Sequence, residues 1–116
     1  MTSGASQRKL AKAIADLLDV CCSADRLVAR GRKVFDNDEV ARLASEAIIS
    51  RLGEAVRRLP ETFRDLHPSQ RWGAMLGTRN LVAHEYSRID HDIIWNALQV
   101  EVPKLRSFLE SLAERS

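Results

Sequence analysis

Apolar residues recur at helical spacing along most of the chain, and this periodicity is the feature that most constrains the fold. Within residues 7–30 the apolar side chains fall on one side of a helix, and later segments repeat the same spacing of three or four residues. Only five glycines and three prolines interrupt the 116 residues, so few tight turns are available. No segment alternates apolar and polar residues as a half-buried strand requires. The sequence therefore predicts an all-α protein.

The first two long helices have recognisable ends. The first is predicted from about Gln7 to Arg30, and it stops at Gly31, a residue type typical of helix C-termini. Residues 31–37 are expected to form a connection. The second helix begins at a D-x-x-E sequence over residues 36–39, a variant of the capping box with Asp36 as the cap, and it ends before Pro60. Its predicted buried stripe comprises Val40, Leu43, Ala44, Ala47, Ile48, Leu52, Ala55, Val56 and Leu59.

The second half of the chain predicts two further helices after a short loop. Residues 60–69 form the loop, with one helical turn, tied down by Phe63 and Leu66. The third helix runs over residues 69–87 and carries Trp72, Met75 and Leu76 on its apolar side. The fourth starts after Asp90, and Pro103 is expected to kink it because proline lacks a backbone N–H. Its stripe comprises Ile93, Ile94, Ala97, Leu98, Val102, Leu105, Phe108, Leu109 and Leu112.

Short connections between long helices favour antiparallel neighbours, so the predicted fold is an antiparallel four-helix bundle with one extra short helical turn. Its length suits one hydrophobic core, so residues 1–116 are predicted to form a single domain, with residues 1–6 frayed. Cys21 and Cys22 are adjacent and poorly placed to pair, because helical neighbours point about 100° apart. We expect two free thiols, with Cys21 in the core and Cys22 partly exposed.

The composition favours a soluble cytoplasmic protein. The net charge of +2 is too small to argue for nucleic-acid binding by itself, although 14 of the 18 basic residues are arginines, which bind phosphate in a bidentate manner. No run of apolar residues is long enough to span a membrane. The small, polar N-terminus lacks a hydrophobic signal region, and free thiols suit a reducing compartment. We therefore expect a cytoplasmic location and no membrane association.

One stretch concentrates reactive groups, namely residues 79–86 with the sequence R-N-L-V-A-H-E-Y. His84 carries an imidazole that can exchange protons near neutral pH, and Asn80 lies one helical turn before it, where its amide can orient the ring. Arg79 supplies a permanent charge suited to phosphate. No phosphate-binding glycine loop and no zinc-type Cys/His set occurs, so no metal site or cofactor is predicted.

The spacing alone leaves two interpretations open. On an ideal helix Arg79 and His84 point about 140° apart. The long arginine side chain can cover part of that gap; otherwise a shared site requires the helix to end near residues 84–86 or a second chain to complete it. Otherwise this stretch is a partly exposed polar helix face. The remaining histidines favour simpler roles, because His67 precedes a proline in a loop and His91 follows a helix cap. His67 is expected to be structural or solvent-exposed, and His91 to lie on the surface.

The sequence resembles the HepT-like family of the HEPN superfamily over roughly residues 8–114. The resemblance rests on residues 79–86 after M-L-G-T and before D-x-D-I-I-W-N, and it is supported by residues 45–55, 63–68 and 105–112. Many relatives have a proline just before the tryptophan that corresponds to Trp72, where this chain has Arg71. The departure affects where the third helix starts and leaves the motif intact.

The resemblance implies a metal-independent endoribonuclease that acts as a toxin beside a minimal nucleotidyltransferase antitoxin. By position, Arg79 and His84 would be catalytic and Asn80 would support them. Tyr86 would be the residue to which the antitoxin adds AMP. The family also implies a homodimer whose motifs line a shared cleft, with RNA as substrate. Two alternatives remain: a non-catalytic HEPN module that presents nucleotide or substrate to a nucleotidyltransferase, and a purely structural helical dimer.

Overall fold

The computed structural model describes residues 4–76 and 91–115, with side chains up to residue 112, and all regular structure in these ranges is helical. This confirms the predicted all-α class. The elements are α1 (Gly4–Val28), α2 (Arg32–Asn37), α3 (Glu39–Arg58), α4 (Glu61–Leu66), α5 (72–76), α6 (His91–Asn96), a π-helical segment (Ala97–Glu101) and α7 (Val102–Arg115).

The long helices pack around α1, which contacts α3, the π-helical segment and α7. Consecutive long helices α1 and α3 are joined by about ten residues and pack along each other, so they run antiparallel as predicted for a bundle. Small side chains on α1 allow this close approach. The buried residues of α1 are Ala13, Leu17, Cys21, Ala24 and Leu27.

Helix α1 begins three residues earlier than predicted, so Gly4 to Ser6 are helical, while residues 1–3 lie outside the described residues. Helix α1 ends at Val28, close to the end predicted near Arg30. Gly31 has a φ of 91°, a left-handed conformation that favours glycine, and its N–H donates to the Val28 carbonyl at 2.9 Å. The glycine therefore turns the chain sharply into the next element.

The predicted connection at residues 31–37 is wrong, because Arg32–Asn37 forms the short helix α2. Its formation follows from one buried side chain, Phe35, whose contacts come from a distant part of the chain. The predicted cap of the next helix is also displaced. The carboxylate of Asp38 accepts from the Val40 N–H at 2.9 Å and caps α3, whereas Asp36 pairs with Arg32 inside α2.

The predicted stripe of α3 is correct in its C-terminal half and wrong in its N-terminal half. Val40 is 70% exposed and Leu43 is 44% exposed. Ala41, Ser45 and Ile49 are buried instead. Ser45 tolerates burial because its hydroxyl donates to the Arg42 carbonyl at 2.6 Å, within the same helix. A pattern that counts only apolar residues has a gap at Ser45, between Ala41 and Ile49.

Residues 59–71 place one aromatic side chain in the core. The chain leaves α3 at Leu59 with extended backbone before Pro60, as predicted, and then forms α4, which confirms the expected helical turn. Phe63 is buried, but Leu66 is 75% exposed, so the anchoring role predicted for Leu66 is wrong. His67 has the expected structural role, because its ring lies 4.7 Å from the Phe63 ring and 5.0 Å from the Phe108 ring.

Pro103 was expected to kink the last helix. The structure has a π-helical segment, Ala97–Glu101, just before this proline. A proline cannot donate to the preceding turn, and its ring crowds a carbonyl there, so a local widening relieves the conflict. Five residues of the predicted stripe are buried, while Ile93 is largely exposed and the unpredicted Trp95 is buried. The five are Ile94, Leu98, Val102, Leu105 and Leu109.

The two cysteines behave as the sequence predicted. Both thiols are free, with Cys21 buried and Cys22 exposed. Burial, aided by the nearby Asp25 carboxylate, raises the pKa of Cys21 to about 12. The Cys21 thiol therefore stays protonated at cellular pH and serves as a small core residue, because the thiolate is the reactive form.

Two leucines of α3 test the observed burial directly. Replacing Leu52, which is 4% exposed, with alanine removes core contacts and should lower the free energy of unfolding by about 2–5 kcal/mol. The matched Leu43→Ala change should cost less than about 1 kcal/mol, because that side chain already faces solvent. Urea denaturation of both variants measures the difference. Equal losses would contradict the described orientation of α3.

Candidate functional site

The residues predicted to carry the chemistry lie within residues 77–90, here called the motif segment, which is outside the described residues. Arg79, Asn80, His84 and Tyr86 all belong to it, as does the predicted helix cap Asp90. Their roles therefore remain predictions. The structure describes the elements that hold the two ends of this segment, α5 before it and α6 after it.

The N-terminal end of the motif segment is held by Trp72. This side chain is buried, and its indole N–H donates to the His67 carbonyl at 3.0 Å. Its ring lies 6.3 Å from both the Phe63 and the Phe108 ring, so α5 is tied to α4 and α7 at once. Met75 and Leu76 also pack against the core, as the predicted third helix requires. The chain therefore enters the motif segment from a fixed position.

The C-terminal end is held by an aromatic contact that the sequence did not reveal. Trp95 and Ile94 of α6 are buried. The Phe35 ring of α2 lies 5.1 Å from the Trp95 ring and 5.9 Å from the His91 ring, edge to face with the latter. His91, predicted to lie on the surface, is thus half-buried against Phe35. The signal for this anchor was the tryptophan in D-x-D-I-I-W-N, which falls outside the predicted apolar stripe.

A cavity of about 160 Å³ opens between α5 and α6, next to both ends of the motif segment. Most of its lining is apolar and comes from α3, α5, α6 and α7, including Leu52, Met75 and Ile93. Arg71 and Glu101 also line it and form an ion pair at 3.6 Å. The Arg71 side chain is otherwise well exposed at the edge of this cavity.

The described residues offer no candidate metal centre. No group of three or more histidine, cysteine, aspartate or glutamate side chains close enough to hold an ion occurs among them. In the same ranges, no helix is long and apolar enough to cross a membrane.

Comparison with known families agrees with the resemblance read from the motif. The family described as "Ribonuclease HepT-like" matches residues 10–112, nearly the whole chain. The chain belongs to this family. The match begins in α1 and ends in α7, so it includes both anchoring elements and the complete motif segment.

Individual relatives of this HepT-like chain carry ribonuclease names. "Putative RNase MJ1380" of Methanocaldococcus jannaschii is 33% identical over 66% of this chain and 70% of its own. "Putative RNase TTE0752" of Caldanaerobacter subterraneus is 31% identical over 70% of this chain and 72% of its own. "Probable ribonuclease HepT" of Thermococcus cleftensis is 31% identical over 53% of this chain and 56% of its own. No solved structure matches the chain.

Proposed function

We propose that the protein is an endoribonuclease that cleaves RNA by attack of the ribose 2′-hydroxyl on the adjacent phosphate, without a metal ion. The observation that carries this proposal is the intact R-x-x-x-x-H-x-Y sequence of residues 79–86 inside a chain that matches the HepT-like ribonuclease family over residues 10–112. Firm attachment of α5 and α6 to the core supports it, because a catalytic segment needs fixed ends.

The chemistry follows from the groups in the motif. RNA carries its own nucleophile, the 2′-hydroxyl, so the protein has to move protons and stabilise charge. His84 takes the hydroxyl proton or donates one to the departing 5′-oxygen, and Arg79 stabilises the extra negative charge on the phosphorane. Asn80 holds the imidazole in the tautomer that the proton transfer requires. No step in this scheme depends on a metal-bound water.

A homodimer completes the proposed site. The transfer needs a base for one oxygen and an acid for the other, and each chain has one histidine in the motif. Two copies of His84 facing one substrate would supply both. A shared cleft would also bring Arg79 and His84 together across the interface, which removes the difficulty that their spacing creates on a single helix.

The proposed biological setting is a cytoplasmic toxin–antitoxin pair. A minimal nucleotidyltransferase would neutralise the enzyme by transferring AMP from ATP to the Tyr86 hydroxyl, with release of pyrophosphate. The added phosphodiester carries a negative charge and bulk, two residues from His84, where it repels the RNA backbone. The modification therefore acts as an off switch on the site itself.

The first test is RNA cleavage by the purified protein in EDTA with analysis of the product ends. Wild-type protein should leave 2′,3′-cyclic phosphates, and His84→Ala should lose about 10²–10⁴-fold in rate, the usual contribution of a general acid–base group. Arg79→Ala should also lose activity, whereas the control Arg57→Ala, on exposed α3 surface, should not. If wild-type protein whose intact mass shows an unmodified Tyr86 does not cleave RNA, the result would instead favour a nucleotide-binding module.

A second test addresses the shared cleft. A heterodimer of one wild-type and one His84→Ala chain should cleave at far less than half the wild-type rate, because one of the two proton-transfer groups is missing. Purification through two different affinity tags isolates this species, and a wild-type heterodimer with the same tags is the control. Retention of half the rate would mean that each chain works alone.

A third test addresses the switch. Tyr86→Phe should cleave RNA at about the wild-type rate, because the phenol takes no part in the proposed proton transfers. After incubation with ATP and the cognate nucleotidyltransferase, wild-type protein should gain AMP in intact mass and lose activity, while Tyr86→Phe should do neither. Modification of the phenylalanine variant to the same extent would place the acceptor elsewhere.

A further inference from the structure

We infer that Arg32 is a positioning residue for the proposed reaction: together with Phe35 it clamps α2 onto α6, the helix that directly follows the motif segment. The inference rests on the proposed function. It adds a residue from the opposite end of the chain, 47 positions before Arg79, to the parts on which cleavage depends.

The guanidinium of Arg32 joins two elements at once. Its Nε donates to the Asp36 carboxylate at 2.8 Å, within α2. Its Nη2 donates to the carboxylate of Asp92, in the first turn of α6 and 60 residues further along the chain. Hydrogen bonding to Asp92, and then to Asp36, raises the pKa of Arg32 above its ordinary value. The two bonds use different nitrogens of one planar group, as arginine allows and lysine does not.

The Arg32 guanidinium also lies over two aromatic rings. The guanidinium carbon lies 5.8 Å from the centre of the Phe35 ring and 5.9 Å from that of the Trp95 ring, within the range of cation–π attraction. Phe35 itself is fully buried against Trp95. Arg32 therefore contacts α6 through a carboxylate and through an aromatic ring, and these two contacts together restrict rotation of α6 more than either would alone.

The position of this clamp gives it a role in catalysis. Asp92 is the second residue after the motif segment, and α6 continues directly into the π-helical segment and α7. A displacement of about 1 Å in a reacting group can cost about 10²-fold in rate. An exposed ion pair contributes little to global stability. Loss of the clamp is therefore expected to lower the rate of cleavage much more than it lowers stability.

The experiment compares Arg32→Ala, Arg32→Lys and Asp92→Asn with the control Arg57→Ala, which removes an exposed Arg–Glu pair at 3.0 Å on α3. We expect the three clamp variants to lose roughly tenfold or more in kcat with little change in KM, because RNA binding does not require the clamp. The midpoint of thermal unfolding should change by no more than about 4 °C. The loss in the double variant Arg32→Ala/Asp92→Asn should be smaller than the product of the two single fold-losses, because both single variants remove the Arg32–Asp92 ion pair.

A second measurement tests the contact between α2 and α6 without relying on ribonuclease activity. Amide hydrogen exchange at His91–Asn96 should become faster in Arg32→Ala and stay unchanged in Arg57→Ala, while α1 exchanges as in wild type. A kcat within twofold of wild type in Arg32→Ala, or unchanged exchange at His91–Asn96, would overturn the inference. If wild-type protein does not cleave RNA, the proposed function fails, and unchanged exchange would still count separately against the clamp.

Discussion

Burial of one face of α1 holds the rest of the molecule in place. Leu17, Cys21 and Ala24 are fully buried, and α1 contacts α3, the π-helical segment and α7. Removal of apolar surface from water is the main favourable term in folding, and small residues at the contacts let the helices approach closely. Because α3 and α7 are fixed on α1, the shorter helices gain a rigid surface on which to pack.

The two tryptophans hold the helices on either side of the motif segment against this core. Trp72 is held against α4 and α7, and Trp95 against α2, so each end of the segment is tied to a different part of the core. A large aromatic ring buries much apolar area at a low cost in conformational entropy, which suits it to fixing a chain position. The residues proposed to be catalytic lie between these two elements, and such residues need fixed neighbouring elements to keep their geometry.

The parts of the fold that were predictable from sequence are those set by local chemistry. Gly31 ends a helix because glycine adopts positive φ, and Pro60 ends another because it restricts the preceding residue. The failures depend on distant contacts. Helix α2 exists because Phe35 packs on Trp95, 60 residues away, and no local window contains that information.

For the candidate site, the sequence points to the reactive residues and not to the contacts that hold the neighbouring helices. Its chemistry is still a prediction, because Arg79 and His84 were proposed from residue type and resemblance and lie outside the described residues. The contacts that hold α6 were not predicted, because neither Arg32 nor Trp95 belongs to a local pattern that points to the motif. Ser45 shows the related difficulty of a buried hydroxyl that is satisfied by its own helix and so escapes a search for apolar stripes.

Apolar burial and ion pairs make different contributions to this fold. Several ion pairs lie within one helix, such as Arg57 with Glu54, and contribute little because both groups remain solvated. Three others join segments far apart in sequence: Arg32 with Asp92, Arg106 with Asp25, and Arg71 with Glu101. Among the described residues, each of these pairs connects two segments that are distant in sequence. Charged pairs have geometric preferences that apolar contacts lack, so they are suited to fixing how the packed helices are oriented. The apolar core thus makes the bundle stable, and these long-range pairs add directional contacts between segments that the core has already brought together.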